Sequence, residues 1–402
     1  MRIGIVDPYS TGAQLCERLS ARGVKLTHID SGLEVPSTMR ETFSRDCFDE
    51  FVSGRDLIGA CGVTTTLEHF DWIVAGSESG VFVANSLASQ TRRPMFAGSP
   101  PSKYEVVAIL TEAGLRAPRT EILTDVSTID SVIVNFSFPV VVKPLWSATG
   151  DGVRLCNDLE EVIAACADAL LRPNIYGVSI DAVLMQEFLP GEEYYCNLVS
   201  SEGEHVAIEV WRYAKRRMPD GGWVYASEDY VPLTGEHGRI VAEYCVEVLR
   251  AIDFRNGATH LEVMVHDNEA ALVEANYRLG GATAPDVIDE VAGSSQVKAF
   301  VELLTTEVDY VARLGDDVLP KQAMRNVFLY PRRGGLMRDG IGFAFRAVKS
   351  TRAVELHISS NGRDDESTLL ASPGFVFLAA DSHAQLALAE RDVRLLEESA
   401  DV

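Results

Sequence analysis

Cationic residues are scarce in this chain. Lys and Arg total 36 against 59 Asp and Glu among 402 residues, a formal net charge of −23. A surface so acidic repels phosphate backbones and anionic headgroups, which argues against nucleic acid and membrane as partners. No apolar run reaches the ~18 residues of a membrane span, and Met1-Arg2-Ile3 opens into a strand pattern rather than a leader peptide. Cysteine is unpatterned: seven residues (16, 47, 61, 156, 166, 196 and 245) are scattered without a CxxC pair. Neither a zinc site nor a disulfide framework is indicated, and a cytoplasmic protein with reduced thiols is expected. Internal repeats and low-complexity linkers are absent. So are GxGxxG after the first strand and any Ser/His/Asp or Cys/His constellation. The hydrophobic share of 47% is that of a soluble globular protein, and the length predicts two or three domains.

What is there is concentrated at residues 259–281, THLEVMVHDNEAALVEANYRLGG. Strict alternation predicts a β-hairpin turning at Asp267-Asn268. His260, Glu262 and Met264 share one face of its first strand. Leu272, Glu274, Asn276 and Arg278 share one face of the second. Symmetry about Asn268 makes Glu262 and Glu274 direct cross-strand neighbours, ~5 Å apart at Cβ, where like charges repel. Facing carboxylates with an amide two residues on look like a site for a hard divalent cation. Mg²⁺ takes one or two carboxylates and completes its shell with waters and phosphate oxygens. Arg278, on the same face, would point at the same phosphates. The alternation alone equally describes an exposed hairpin whose polar face meets only water.

The rest of the chain decides between these readings. Residues 2–7, 13–22 and 24–29 form a βαβ opening that builds a parallel sheet. A further strand at 70–76 runs through Ser77-Glu78-Ser79-Gly80 into an apolar helix at 81–89. In a doubly wound sheet such loops lie at the carboxyl edge, where ligands bind. Glu78 is therefore a candidate contact for a substrate amine, or else decorates the first turn of a helix whose dipole favours it. Ser102 and Glu105 form a capping box for a helix running to Gly114. Lys103 sits in its first turn, the wrong end for a cation, a local conflict of the kind that marks a functional demand. A domain boundary is placed at Ala117-Pro118.

Residues 138–143 are an apolar strand ending in Lys143-Pro144, followed by the Gly-rich turn 147–152 and a returning strand at 153–155. Such a flap can offer backbone N–H groups to phosphate oxygens, with Lys143 reaching the same ligand. A lysine that merely solubilises an edge strand fits as well. A helix is expected at 157–171. A strand at 183–188 then breaks at Pro190-Gly191, leaving backbone groups that could pair with an adenine ring, and Glu193 would suit a ribose. A plain tight turn is the alternative. Residues 211–217, WRYAKRR, concentrate cations expected to face an anionic ligand or solvent, followed by a loop to Pro232. Helices are expected at 236–252 and 295–304, strands near 325–330, 343–348 and 354–359, and a final helix from the N-cap Ser382 to Glu398.

Taken in order, FPVVVKP, SATGDGV, MQEFLPGEEY, HLEVMV and LVEANYRLGG resemble the ATP-grasp superfamily of carboxylate–amine ligases across nearly the whole chain. GSESGVFVA, WRYAK and EANYRLGG look most like the L-amino acid ligases that make dipeptides. The resemblance implies an α/β (α+β) ATP-grasp fold. Its parts would be a Rossmann-like parallel-sheet domain at 1–116, a small central lid at 117–200 and a C-terminal domain at 201–402 carrying the metal and substrate site. It implies ATP and Mg²⁺ as cofactors, with Mn²⁺ able to substitute, amino acids as substrates, and a homodimer.

By the same resemblance Lys103 and Lys143 contact ATP phosphates, and the loop of Ser147, Thr149, Gly150 and Gly152 closes over them. Gln186, Glu187, Phe188 and Leu189 form the adenine hinge, and Glu193 takes the ribose. Glu262, Glu274 and Asn276 hold magnesium, while Arg278 steadies an acyl phosphate and the tetrahedral intermediate. Glu78, Ser79, Tyr213, Lys215, Gly280 and Gly281 fall to the substrates. The implied reaction joins one amino acid's carboxylate to another's amine, giving a dipeptide, ADP and phosphate. Other carboxylate substrates (D-alanine-type, formate-dependent purine or carboxylase chemistry) and a nucleotide-binding regulator without turnover are the competing readings.

Overall fold

Three β-sheets organise the chain in a computed structural model, which describes residues 1–59, 67, 69–217, 223–306, 320–330, 340–356 and 372–399. The first sheet comprises β1 (Arg2–Val6), β2 (Lys25–Asp30), β3 (Glu50–Ser53) and β4 (Trp72–Ala75), all parallel, in the order β3-β2-β1-β4. Ile3, Ile5 and Val6 of β1 have no exposed surface, as expected of a parallel strand covered on both faces. β1 lies between β2 and β4, so the loops leaving β1 and β4 run side by side at the carboxyl edge. Their approach requires glycine: a Cβ on Gly76 would sit 2.6 Å from Pro8 Cα.

The second sheet is antiparallel: β5 (Thr120–Leu123), β6 (Val140–Pro144), β7 (Arg154–Cys156) and β8 (Val183–Glu187), in the order β5-β8-β6-β7. The helix Leu159–Leu171 covers it. Asp158 caps that helix by accepting from Glu161 N, and Val162, Cys166 and Ala169 recur at helical spacing against Val140, Val142, Val183 and Met185.

The third sheet holds β9 (Glu192–Ser201), β10 (Glu204–Arg217), β11 (Trp223–Val231), β12 (Gly257–His266), β13 (Glu269–Asn276), β14 (Ala323–Phe328), β15 (Thr351–Leu356) and β16 (Gly374–Ala380). Their order is β13-β12-β9-β10-β11-β14-β16-β15. β9 pairs with β10 and β12, so the strand grouped above with the central segment belongs to the large sheet. The helix Glu236–Ala251 packs Val241, Cys245, Val248 and Leu249 on Leu198, Val210, Leu261 and Val263. The opposite face of these strands carries the polar residues of the site.

Several expected elements differ. Residues 223–231, read as part of a loop, are strand β11, because the charges that hide the pattern are buried and paired. Glu228 accepts from Asn326 Nδ2 at 3.0 Å, and Asp229 is bound by Arg325 Nη2 at 2.8 Å. The stretch expected as a strand at 343–348 lies in a helix, Ile341–Ala347, whose buried Ile341 and Phe345 stand four apart. Of the strand expected at 354–359, residues up to Leu356 lie in β15 and 357–359 fall outside the described residues. The helix Pro285–Ala292 was not anticipated, although Pro285 in its first turn and Gly293 (φ 86°) after its end are its boundary signals. Ser102 and Glu105 form the expected capping box. Among the described residues no helix is long and apolar enough to cross a membrane.

Candidate active site

The hairpin β12–β13 turns through Asp267 (φ 49°) and Asn268 (φ 63°), both left-handed, as a two-residue turn matched to strand twist requires. His266 pairs with Glu269, and a regular ladder from there would set Glu262 opposite Val273. A β-bulge intervenes between the Glu262 and Val263 rungs, and Glu262 pairs with Glu274. The expected facing of the two carboxylates is therefore real, but the bulge creates it. The bulge also turns Leu272 toward the apolar core beside Val263, rather than onto the face of Glu274. The carbonyl of the bulged Val273 accepts from Lys143 Nζ at 3.1 Å.

Cations converge on this pair. Lys103 Nζ lies 2.8 Å from Glu274 Oε1 and donates to the Ser147 carbonyl at 3.2 Å. Burial depresses the Lys103 pKa, but Glu274, with Glu78 and Glu262 beyond it, carries it above the ordinary lysine value. Lys143 is buried deeper in effect: desolvation outweighs its attraction to Glu274 and brings it down to about 8. Burial would raise Glu274, yet Lys103, Lys143 and Arg278 hold it below the usual carboxylate range. The wrong-end lysine of the capped helix thus has its reason in a carboxylate on β13 of the large sheet.

Glu262, Glu274 and Asn276 fit a magnesium ion. Among the described residues no cluster of three His, Cys, Asp or Glu side chains forms a self-sufficient cage. Two carboxylates and an amide are what Mg²⁺ takes when phosphates and water supply the rest. The ammonium of Lys103 already stands on Glu274 as a cation would. Behind the pair, His260 Nε2 lies 3.4 Å from Glu262 Oε1, and its Nδ1 is 2.8 Å from Asn197 Oδ1. Such a partner orients a ligand carboxylate.

Arg278 extends from the end of β13 to the loop after β4, where its Nε donates to Glu78 Oε2 at 2.9 Å, while Nη1 donates to the Leu279 carbonyl at 2.7 Å. Both side chains are largely buried. Ser79, expected at the substrate, instead gives its hydroxyl to Asp7 Oδ2 at 2.5 Å and so fixes the loop that presents Glu78. The two glycines also separate. A Cβ on Gly280 would meet Asn197 Oδ1 at 2.9 Å, so Gly280 serves packing, whereas nothing approaches Gly281 closer than Ser10 Oγ at 4.0 Å.

At the other end of the hairpin, Glu193 forms an ion pair with Lys215, whose ammonium also lies 4.9 Å from the centroid of Tyr225. Burial raises the Glu193 carboxyl, with Lys215 opposing. Tyr213 packs between Tyr225 and Tyr195 in tilted ring contacts, with centroids at 4.4 and 4.9 Å. Strand geometry divides the basic stretch: Lys215 joins this face, while Arg212 pairs with Glu192 at 3.1 Å and Arg216 covers Tyr330. It is not one anion-facing patch. At the hinge, Gln186 Nε2 donates to Thr120 Oγ1 at 2.9 Å and the Glu187 carboxylate pairs with Arg116 at 2.6 Å, so both side chains are committed to the sheet. Only backbone from 187 to 191 can serve a base, with Phe188 half-exposed and Leu189 beside it. In the flap, Thr149, Gly150 and Gly152 all take φ between 59° and 78°, and Ser147 Oγ donates to Asp151 Oδ2 at 2.6 Å.

Residues 136–286 match the ATP-grasp domain family, a stretch that spans flap, hinge and hairpin. The chain carries an ATP-grasp domain. Dapdiamide A synthase of Enterobacter agglomerans is 25% identical over 98% of this chain and 95% of its own length. Alanine–anticapsin ligase of Bacillus subtilis (strain 168) is 23% identical over 71% of this chain and 62% of its own. The crystal structure of the L-amino acid ligase from Bacillus licheniformis superposes with a TM-score of 0.74 at 15% identity, covering 99% of this chain and 97% of that one. The two chains share one fold over nearly their whole length, with the ATP-grasp match at its centre.

Two members of the site, Glu78 and Lys103, lie before the matched ATP-grasp stretch. Others were not singled out from sequence. Asp151 sits inside the Gly-rich turn and accepts from Ser147 Oγ, Arg172 Nη1 and Ile175 N. Glu228, on β11, is buried against Tyr195 and Asn326, and burial pushes its carboxyl up to about 8. Tyr225 shares the face of Glu228 and Tyr230 only through a bulge that skips Ala226, so strict alternation in the sequence does not reveal this strand.

Proposed function

We propose that this ATP-grasp protein joins the carboxylate of one amino acid to the amine of a second, by way of an acyl phosphate. The observation that carries this reading is the Glu78–Arg278 pair at 2.9 Å, set beside the hairpin carboxylates and the two lysines. An internal anion and cation held at one place suit a zwitterion, whose ammonium and carboxylate can exchange with them partner for partner. Formate and bicarbonate, the small acids of the formate-dependent purine and carboxylase readings, carry no ammonium and offer no such match.

Lys103 and Lys143 bind the phosphates of ATP, and the backbone between 147 and 152 covers them. Magnesium, held by Glu262, Glu274 and Asn276, would supply neutralisation of phosphoryl charge. Arg278 orients a carboxylate so that one oxygen attacks the γ-phosphorus and ADP leaves. The amine of the second amino acid then attacks the acyl carbon. Phosphate departs with the electron pair of the C–O bond, and the nitrogen loses its proton. Charge gathers first on phosphoryl and then on carbonyl oxygens, where lysines and an arginine stabilise it without a protein nucleophile.

The test is ADP release against pairs of L-amino acids. Release that needs Mg²⁺ and two amino acids, with a dipeptide identified by mass, is expected. Release driven by D-alanine alone, or by no amino acid pair, would reject the proposal.

A further inference from the structure

Residues 172–178, between the helix Leu159–Leu171 and β8, touch three parts of the site. Ile175 N donates to Asp151 Oδ2 at 3.2 Å and Arg172 Nη1 to Asp151 Oδ1 at 2.9 Å, which ties the loop to the flap. Asn174 Nδ2 donates to the carbonyl of Trp146, the residue before the flap, at 3.1 Å. Gly177 (φ 73°) abuts the first domain: a Cβ there would sit 2.9 Å from Glu34 Oε2. Tyr176 stands at the centre of this loop. Its ring lies 5.3 Å from that of Trp146, and only 2% of its surface is exposed.

The hydroxyl of Tyr176 is buried without a hydrogen-bond partner among the described residues. A buried hydroxyl left so is costly, and such a group is retained where something else binds it. The charges nearest it are those of the site. Burial raises its pKa, and Glu78 raises it further while Arg278 opposes, with Asp7 and Glu274 beyond. The groups that feel the hydroxyl are thus the pair assigned above to an amino acid.

We propose that the Tyr176 hydroxyl donates a hydrogen bond to the carboxylate of the amino acid held at Arg278, so that the lid senses the acyl substrate as well as the nucleotide. This rests on the ligase reading. Tyr176 belongs to the antiparallel unit that carries the flap, whereas Glu78 and Arg278 belong to the other two sheets. An amino acid bound between them would bridge all three and draw the flap onto the phosphates through Asp151. Chemically, the donor must face an oxygen that is anionic before activation. Any α-amino acid meets that need, and its amide or ester does not.

Tyr176→Phe removes the hydroxyl and keeps the ring on Trp146. KM for the carboxylate-donating amino acid should rise about 10- to 100-fold, the scale of one hydrogen bond to a charged group. KM for ATP should change less than twofold. The melting temperature of the unliganded variant should match or exceed wild type, because an unpaired buried group has been removed. Unchanged KM for both amino acids would overturn the assignment, as would a lowered melting temperature with proportionate loss toward every substrate. A thermal-shift panel of L-amino acids with ADP and Mg²⁺ separates this from the parent reading. If amino acids protect wild type but protect Tyr176→Phe equally, only the role of Tyr176 fails. If none protects wild type and none drives ADP release, both fail.

Discussion

Lys103 Nζ lies 2.8 Å from Glu274 Oε1 and 3.2 Å from the Ser147 carbonyl, so one ammonium links the helix Lys103–Glu112 to the hairpin carboxylate and to the Gly-rich turn. Glu274 is the counter-ion of this arrangement, lowered in pKa by Lys103, Lys143 and Arg278 against the effect of burial. On the proposed reading, Glu274→Gln removes a magnesium ligand, and it leaves those cations without their partner. Mg²⁺-dependent ADP release should fall by at least ~10²-fold. Circular dichroism should remain that of a folded protein, with a lowered melting temperature from the uncompensated buried charge. ADP release near wild type would remove Glu274 from the metal site.

Lys143 gives a pH signature. Burial brings its pKa down to about 8, and phosphate binding favours the ammonium. Below that pH the group is charged before ATP arrives. Above it a proton must be taken up on binding, so ATP affinity should weaken with pH, approaching ~10-fold per unit. Lys143→Arg stays charged across this range and should flatten the profile. Glu228 is also pushed up to about 8. An unchanged profile in Lys143→Arg that is abolished by Glu228→Gln would move the titration to that carboxyl.

The flap depends on Asp151, which accepts from Ser147 Oγ at 2.6 Å and from Ile175 N at 3.2 Å. Thr149, Gly150 and Gly152 all hold left-handed φ and lose entropy when fixed, and Gly150 at the tip is exposed. Limited proteolysis near Thr149 should be suppressed by a non-hydrolysable ATP analogue with Mg²⁺. Asp151→Ala should be cut faster in both states and raise KM for ATP, with a loss of stability of ~1–3 kcal/mol from the unpaired Ile175 N–H. Cutting that is indifferent to nucleotide would make the turn a fixed structural loop.

The hairpin was legible because a period of two repeats over both strands, and so was its pairing of Glu262 with Glu274. Its bulge was not. A β-bulge leaves no compositional mark at Val273, and only the turn geometry shows that one residue too many separates the tip from Glu274. β11 was missed for the opposite reason. Its buried Glu228 and Asp229 read as loop residues until Asn326 and Arg325, on a strand about a hundred residues later, are set beside them. Local pattern carries no information about partners so distant. The lysine at the start of a capped helix was the exception. Its conflict with the helix dipole was visible locally, and Glu274 explains it.

Arg278 offers the sharpest test, because its position admits two roles. Alternation placed it with the hairpin carboxylates, but its nearest anion is Glu78, at 2.9 Å from its Nε. If it only offsets Glu78 as a structural pair, Arg278→Lys should be mild, since a lysine can still reach a carboxylate. If it grips a planar carboxyl or phosphoryl group with two N–H donors, lysine cannot reproduce the fork. Its bonds must also strengthen as charge develops in the transition state. Under the ligase proposal Arg278→Lys lowers kcat by about 10²-fold or more, the scale for one oxyanion donor, with ATP affinity by calorimetry nearly unchanged. Glu78→Gln separates the partners: it should raise KM for an amino acid without a comparable loss of kcat, since the amine it holds is not where charge develops. Loss of ATP binding in Arg278→Lys with kcat preserved would assign the guanidinium to the nucleotide. Equal mild losses in both variants would reduce the pair to a bridge between domains.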